Sequence, residues 1–277
     1  MTAFAGPVRL LVSDIDGTLV TPDKTLTPAA LTAVHRLQEA GIGFTVVSSR
    51  PARGIAALVR RLDLTLPFAA FNGGSIVAPD GRLLSAKRLS AGAASTAIAL
   101  FQARGVEVWG FADDQWLVLA LEGPHMEHEH HTVGFEPTLV ANFDGVIDRL
   151  DKLVAVSDQP DLLADVERAA QLALGRTANA LRSQTYYLDV THPDADKGHA
   201  VRALCAEIGV PLAQTAVIGD QANDIAMFKV AGLAIAMGQG SDQVKAGAQL
   251  VTDANTAEGF ARAVERFILP RAGQSAG

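Results

Sequence analysis

Apolar and polar positions along this chain follow two different rhythms. At the start, apolar runs of strand length alternate with stretches of helical spacing. Val8 to Val12 is the first run, and it ends just before two aspartates, Asp14 and Asp16. "TLTPAALTAVHRLQEAG" follows, with Leu31, Val34 and Leu37 on one stripe. Thr27 suits the N-cap, Pro28 the first helical position and Gly41 the C-terminal cap. "GFTVVSS" reads as a second buried strand, and a helix carrying Ile55, Leu58, Val59 and Leu62 comes next. "LPFAAFNGG" is a third strand. Strands separated by helices imply a parallel sheet with right-handed crossovers.

"SIVAPDGRLL" breaks that rhythm, because a Pro-Asp-Gly turn between short apolar runs predicts a hairpin. Over residues 85–186 hairpins and helices mix. A helix is expected near Ala91–Arg104, then strands at "VEVWGFA" and "WLVLALE" and a helix near His125–Val133. A strand at Leu153–Val156, a helix at Leu162–Leu174 and a strand at Tyr186–Val190 complete this part. The first rhythm then returns. "KGHAVRALCAEIGV" is helical, "TAVIGD" is a strand ending in Asp220, and "ANDIAMFKVAG" is a helix closed by Gly232. "LAIAMG" is a strand, and a last helix spans roughly Ala257 to Ile268. The expected architecture is an α/β core of residues 1–84 and 187–277, interrupted by an α+β domain at 85–186. Asp189 and Thr191 then lie where the chain re-enters the core.

Ligands of open α/β sheets bind at the carboxyl ends of the strands. That rule gathers Asp14 and Asp16, Ser48, Asn72 and Asp220 on one rim. Side chains at i and i+2 of an extended segment point the same way. Asp14 and Asp16 would therefore share a site, which is costly unless a proton or a cation lies between them. Asp220 and Asp224 fall on the same rim, so a divalent cation is expected. Oxygen donors without cysteine or histidine favour Mg²⁺ over zinc.

Composition narrows the picture further. The chain has 277 residues, 49% of them apolar, and a net charge of −7. A sizeable core is easily built, and the acidic balance argues against non-specific nucleic-acid binding. An anionic ligand would have to meet local positive charge. No run is long enough to span a membrane. "MTAFAGPVRLLVSD" lacks the form of a secretory signal, so the cytoplasm is the expected location. The single Cys205 lies on an apolar helix face and reads as a small buried residue. "PHMEHEHH" holds His125, His128, His130 and His131, none of them at i, i+4 from another. It reads as an exposed helix rather than a metal site. Trp109 and Trp116 read as cross-strand core residues, with substrate stacking as the alternative.

Taken together and in order, "DIDGT" (Asp14–Thr18), "VVSSR" (ending Ser48, Ser49, Arg50), "FNGG" (Phe71–Gly74), "DKG" (with Lys197) and "GDQAND" (Gly219–Asp224) resemble the haloacid dehalogenase superfamily. Within it the chain is similar to the Cof-type class IIB phosphatases. The resemblance implies a Rossmann-like core with an inserted C2B-type α+β cap. It implies that Asp14 is a nucleophile forming an aspartyl-phosphate, and that Asp16 is the general acid and base. It further implies Mg²⁺ held by Asp14, the Asp16 carbonyl and Asp220, with Asp224 in support. Ser48, Lys197 and Asn223 would bind the phosphoryl group, and Arg50, Asn72 and Gly73 would contact substrate. An acid at the Asp16 position favours a phosphatase or phosphomutase over the dehalogenases and the P-type ATPase relatives. The branch usually has Thr-Gly-Arg where this chain has Ser48-Ser49-Arg50. Serine keeps the hydroxyl, and Ser49 adds a side chain beside the phosphate path. The partner implied is a small phosphate ester, with no nucleic acid and no membrane. A hexose phosphomutase and a catalytically silent phospho-ligand sensor are the alternatives.

Overall fold

A computed structural model describes residues 6–273 of the chain. The strands, in chain order, are β1 (Leu10–Ser13), β2 (Gly43–Val46), β3 (Phe68–Ala70), β4 (Ser75–Val77) and β5 (Leu83–Ala86). The middle of the chain adds β6 (Glu107–Ala112), β7 (Gln115–Val118), β8 (Thr138–Leu139), β9 (Leu150–Val156), β10 (Asn179–Gln184) and β11 (Tyr187–Thr191). β12 (Thr215–Gly219), β13 (Leu233–Ala236) and β14 (Leu250–Val251) close the series. The core sheet runs β14-β13-β12-β1-β2, all parallel, and a Val47–Ala69 bridge leads on to β3. Every residue of β1, β12 and β13 is buried, as strands covered by helices on both faces must be.

Helix boundaries follow the caps. Thr27 accepts from the Ala30 amide, Pro28 opens the helix Pro28–Glu39, and Gly41 has φ +72° just beyond its end. Asp196 caps the helix Lys197–Ile208 by accepting from the amides of Gly198 and His199. The Pro-Asp-Gly turn does join two antiparallel strands, β4 and β5, with Gly81 at φ +90°.

The inserted sheet runs β10-β11-β9-β6-β7-β8. Its two faces are sorted by the period of two. Val108, Leu153, Ala155, Leu188 and Val190 pack with the helices Ala91–Ala103 and Pro160–Leu174. Trp109, Phe111, Trp116, Val154 and Tyr187 face the other way, in one cluster with Ile55 and Phe71 of the core. Phe71 and Phe111 meet across the gap, ring centroids 5.9 Å apart. Gly54, without a Cβ, lets Val133 of the helix Met126–Val133 come close to the core. This second domain therefore roofs the rim of the first.

The structure departs from the sequence reading at the boundary of the inserted sheet, at β10, for which no strand was expected, and in the last helix. β11 pairs antiparallel with β9 and β10, so the boundary expected at residue 187 falls inside the inserted sheet. Asp189 and Thr191 are thus roof residues. β10 itself carried no clear alternation, because an irregularity between Arg182 and Gln184 breaks its period. The last helix is α only over Gly259–Ala263 and then widens to π over Val264–Ile268.

Candidate active site

β1 delivers Asp14 to the middle of the rim, where the Asp14 amide donates to the Ile218 carbonyl of β12 at 3.0 Å. β12 delivers Asp220. The turn after it folds Asp224 back, so that Asp224 Oδ2 accepts from the amides of Asp220 (2.7 Å) and Gln221 (2.8 Å). Carboxylate oxygens of Asp14, Asp220 and Asp224 all lie within 4.8 Å of one another, and all three residues are buried. Lys197, at the start of its helix and 2% exposed, donates to Asp14 Oδ1 and Asp224 Oδ1, both at 2.6 Å. Two oxygens at that distance hold the ammonium despite the cost of burying it. Burial would lower Lys197, but Asp14 and then Asp224 hold it well above the usual lysine range.

The charges do not balance. Three carboxylates face one ammonium, leaving two negative charges uncompensated when all are ionised. Burial, together with Asp224 and Asp220 and against Lys197, pushes Asp14 well up. Burial and then Asp224 push Asp220 up to about 6, with Lys197 opposing. A divalent cation would remove that strain, and the all-oxygen donor set fits a hard ion such as Mg²⁺. Asp14 and Asp220 have oxygens to offer such an ion. Asp224 already spends both of its own on Lys197 and the turn, so it supports the cluster. Gly17, at φ +83°, leaves room that a Cβ would take from the Asp220 carboxylate. Thr18 donates to Asp220 Oδ1 at 3.2 Å.

Asp16 does not join this cluster. Its carboxylate turns outward into a fork from Arg50 (Nε to Oδ2 2.7 Å, Nη2 to Oδ1 2.6 Å) and also accepts from Lys24 at 2.7 Å. Burial would push Asp16 up, but Arg50 and then Lys24 prevail and hold it well below the usual carboxylate range. The expectation that Asp14 and Asp16 repel each other across a shared cation is thereby corrected for the side chains. The bend after β1 separates them.

Ser48 lies at the end of β2, 1% exposed, and its Oγ accepts from the Arg50 amide at 3.1 Å. The hydroxyl proton stays free to donate. The Ser48 carbonyl accepts from the Asn72 amide at 2.8 Å. Asn72 stands in the left-handed region (φ 55°) and accepts from Asn223 Nδ2 at 3.3 Å, which ties the third strand's end to the "GDQAND" turn. Gly73 has a packing duty. At φ +98° its missing Cβ would sit 2.7 Å from Ala200 Cβ, so it lets the Lys197 helix approach.

The roof supplies residues that the motifs did not point to. Lys152 of β9 donates to the Ser49 carbonyl at 3.2 Å and stands 5.0 Å over the Phe111 ring. Lys24, Glu129 and His128 line a narrow crevice with Asp16 and Arg50. The histidine segment is therefore not wholly an exposed helix. His128 faces the crevice, while His125 stacks on Tyr186 with centroids 4.0 Å apart. Trp109 and Trp116 are fully buried, at 5.1 Å edge to face across β6 and β7, and Trp109 also borders the crevice. The sequence held one usable sign of the roof: the lone carboxylate Asp189 between Leu188 and Val190.

The profile of the haloacid dehalogenase-like hydrolases matches residues 11–264. The chain belongs to that family. This haloacid dehalogenase-like hydrolase is 29% identical over 238 residues to the HMP-PP phosphatase of Cronobacter sakazakii, covering 86% of this chain and 87% of that one. It is 24% identical to the 5-amino-6-(5-phospho-D-ribitylamino)uracil phosphatase of Bacillus subtilis, covering 94% and 98%. A solved haloacid dehalogenase-like hydrolase from Bacteroides thetaiotaomicron shares its fold with a TM-score of 0.84 at 26% identity, covering 94% and 99%. The chain is a phosphatase of the haloacid dehalogenase type, and its parallel core with an inserted cap is consistent with the Cof-type class IIB branch. Among the described residues no helix is long and apolar enough to cross a membrane.

Proposed function

We propose that the chain hydrolyses the phosphomonoester of a small phosphorylated metabolite, with Mg²⁺, through an aspartyl-phosphate on Asp14. The observation that supports this most is the Lys197 ammonium, 2.6 Å from both Asp14 and Asp224 inside a cluster that lacks positive charge. It neutralises the nucleophile's surroundings while leaving Asp14 one free oxygen. Asp14 and Asp220 would hold the metal, which supplies charge neutralisation for the incoming dianion.

The protein's own steps follow from its geometry. Asp14 attacks phosphorus as the ester P–O bond breaks. Asp16, once it has taken up a proton from solvent, gives that proton to the departing alkoxide, and later takes one from the water that attacks the aspartyl-phosphate. That second attack breaks the bond to Asp14 and releases inorganic phosphate. Arg50 and Lys24 hold Asp16 as a carboxylate before substrate arrives, so Asp16 needs their release to carry a proton. An incoming phosphate is a competing partner for Arg50. Ser48, Lys197 and Asn223 donate to the phosphoryl oxygens, with Asn72 setting Asn223. The relatives' names, phosphatases of HMP-PP and of a ribitylaminouracil phosphate, are compatible with a small-metabolite substrate and a cytoplasmic place of work.

The test is p-nitrophenyl phosphate turnover with and without Mg²⁺, with Asp14→Asn as the blank. Metal-dependent turnover lost in Asp14→Asn supports the reading. Equal rates for the two proteins would end it.

A further inference from the structure

A cavity of about 590 Å³ opens beside the crevice, between core and roof. Its floor includes Asn72, Lys197 and Asn223, and its roof includes Ser183, Asp189 and Thr191. The volume is that of a small-metabolite pocket. One end is therefore the proposed phosphoryl site, and the other end must receive whatever the phosphate is attached to.

Asp189 is 4% exposed, and neither of its carboxylate oxygens has a partner in good hydrogen-bond geometry; Ser183 and Lys152 stand close and only partly oppose the burial that pushes its carboxyl up. A buried carboxylate in that condition is expensive, and each unsatisfied oxygen asks for an explanation. Lys152 does not supply one. At 3.6 Å from Asp189 Oδ1 it lends its charge, but it is beyond hydrogen-bond distance and donates instead to the Ser49 carbonyl. Strand geometry places Asp189 on the face shared with Tyr187 and Thr191, turned toward the core, while Leu188 and Val190 pack behind. Glu129 shares the field of Lys152 and Asp189, so two carboxylates face one ammonium and the site favours hydrogen-bond donors over a second anion.

We propose that Asp189 sets specificity by accepting two hydrogen bonds from adjacent donors on the leaving group. The chemistry is paired O–H or N–H donors, as on neighbouring hydroxyls of a polyol or on an amino-substituted ring. This inference deepens the proposed phosphatase reading of the same site. The carboxylate is prearranged by β11 and already desolvated, so a donor pair recovers the full value of both bonds. A leaving group without donors leaves Asp189 as it stands, buried and unpaired, and is discriminated against.

Equilibrium binding separates this from the catalytic reading. Calorimetry would be run on Asp14→Asn, with Asp14→Asn/Asp189→Ala and Asp14→Asn/Asp189→Asn alongside. The probes are glucose 6-phosphate (polyol donors), pyridoxamine 5′-phosphate (amino donors) and phenyl phosphate (none). We expect one donor-bearing ester to bind at least about tenfold more tightly than phenyl phosphate. That preference should vanish with Asp189→Ala and shrink with the isosteric Asp189→Asn. Which ester shows it identifies the donor type. No preference in the parent, or a preference untouched by both substitutions, would overturn the proposal. So would equal weakening of all three esters, which is what a merely structural partner of Lys152 would produce. Because binding is read without turnover, absence of hydrolysis in the wild-type protein would end the phosphatase reading without touching this result.

Discussion

Arg50 grips Asp16 with two parallel hydrogen bonds, 2.7 and 2.6 Å long. The planar fork fixes the carboxylate two residues after the nucleophile, and Lys24 completes the hold. Only arginine offers that fork, since lysine is a point charge. Arg50→Lys should therefore keep the charge and lose the fork, both where it places Asp16 before substrate arrives and where it turns to the incoming phosphate. We expect kcat to fall by roughly tenfold to a hundredfold, as misplaced catalytic groups do. Steady-state kinetics on any hydrolysed ester checks this, and a wild-type kcat would show that Arg50 does not position Asp16.

Asp224 answers three donors at once: Lys197 on one oxygen, and the amides of Asp220 and Gln221 on the other. It is fully buried. Asp224→Ala strips the turn of its acceptor and leaves Lys197 with Asp14 alone. Breaking a buried pair this way costs about 3–5 kcal/mol. Urea unfolding should show the loss as a lower midpoint with an unchanged slope.

Gly17 lies against Asp220, and a methyl group there would collide with the carboxylate. The backbone at φ +83° adds strain for any other residue. Gly17→Ala should displace Asp220 from the cluster while sparing Asp14 and Lys197. The expected result is a higher Mg²⁺ concentration for half-maximal activity, read from a metal titration. An unchanged titration would remove Asp220 from the metal site.

Asp151 sits under the roof edge with Arg88 at 3.3 Å. Burial pushes its carboxyl from 3.8 up to about 6, with Arg88 opposing. A carboxyl raised on folding holds its proton more tightly in the native chain than in the unfolded one. Its contribution to stability is full at low pH and is lost as pH rises from about 4 through about 6. Asp151→Asn, neutral at every pH, should match wild type near pH 4. Near pH 7 it should be more stable, by on the order of 2 kcal/mol. Unfolding midpoints at the two pH values measure the difference.

The parallel core was legible because its strands are short apolar runs and its first helix carries caps, as at Thr27 and Pro28. The rim was legible because strand ends in such sheets gather in space, and the structure does bring Asp14, Lys197, Asp220 and Asp224 together. The outward turn of Asp16 was not, because the bend that follows β1 breaks the i, i+2 rule for extended chain. Nor was the roof. Lys152, Glu129 and Asp189 reach the rim from three separate elements, and only the packing of the inserted sheet onto the core brings them there. Gly73 adds a packing reason to a motif position: the missing Cβ lets the Lys197 helix approach.

The central claim is that Asp14 carries the phosphoryl group during turnover. Wild-type protein turning over p-nitrophenyl phosphate with Mg²⁺ would be quenched in acid, digested and mapped by mass spectrometry. We predict a phosphoryl group on the peptide containing Asp14, and no such peptide and no turnover from Asp14→Asn. An unmodified Asp14 peptide at full turnover, with Asp14→Asn as active as wild type, would contradict the account.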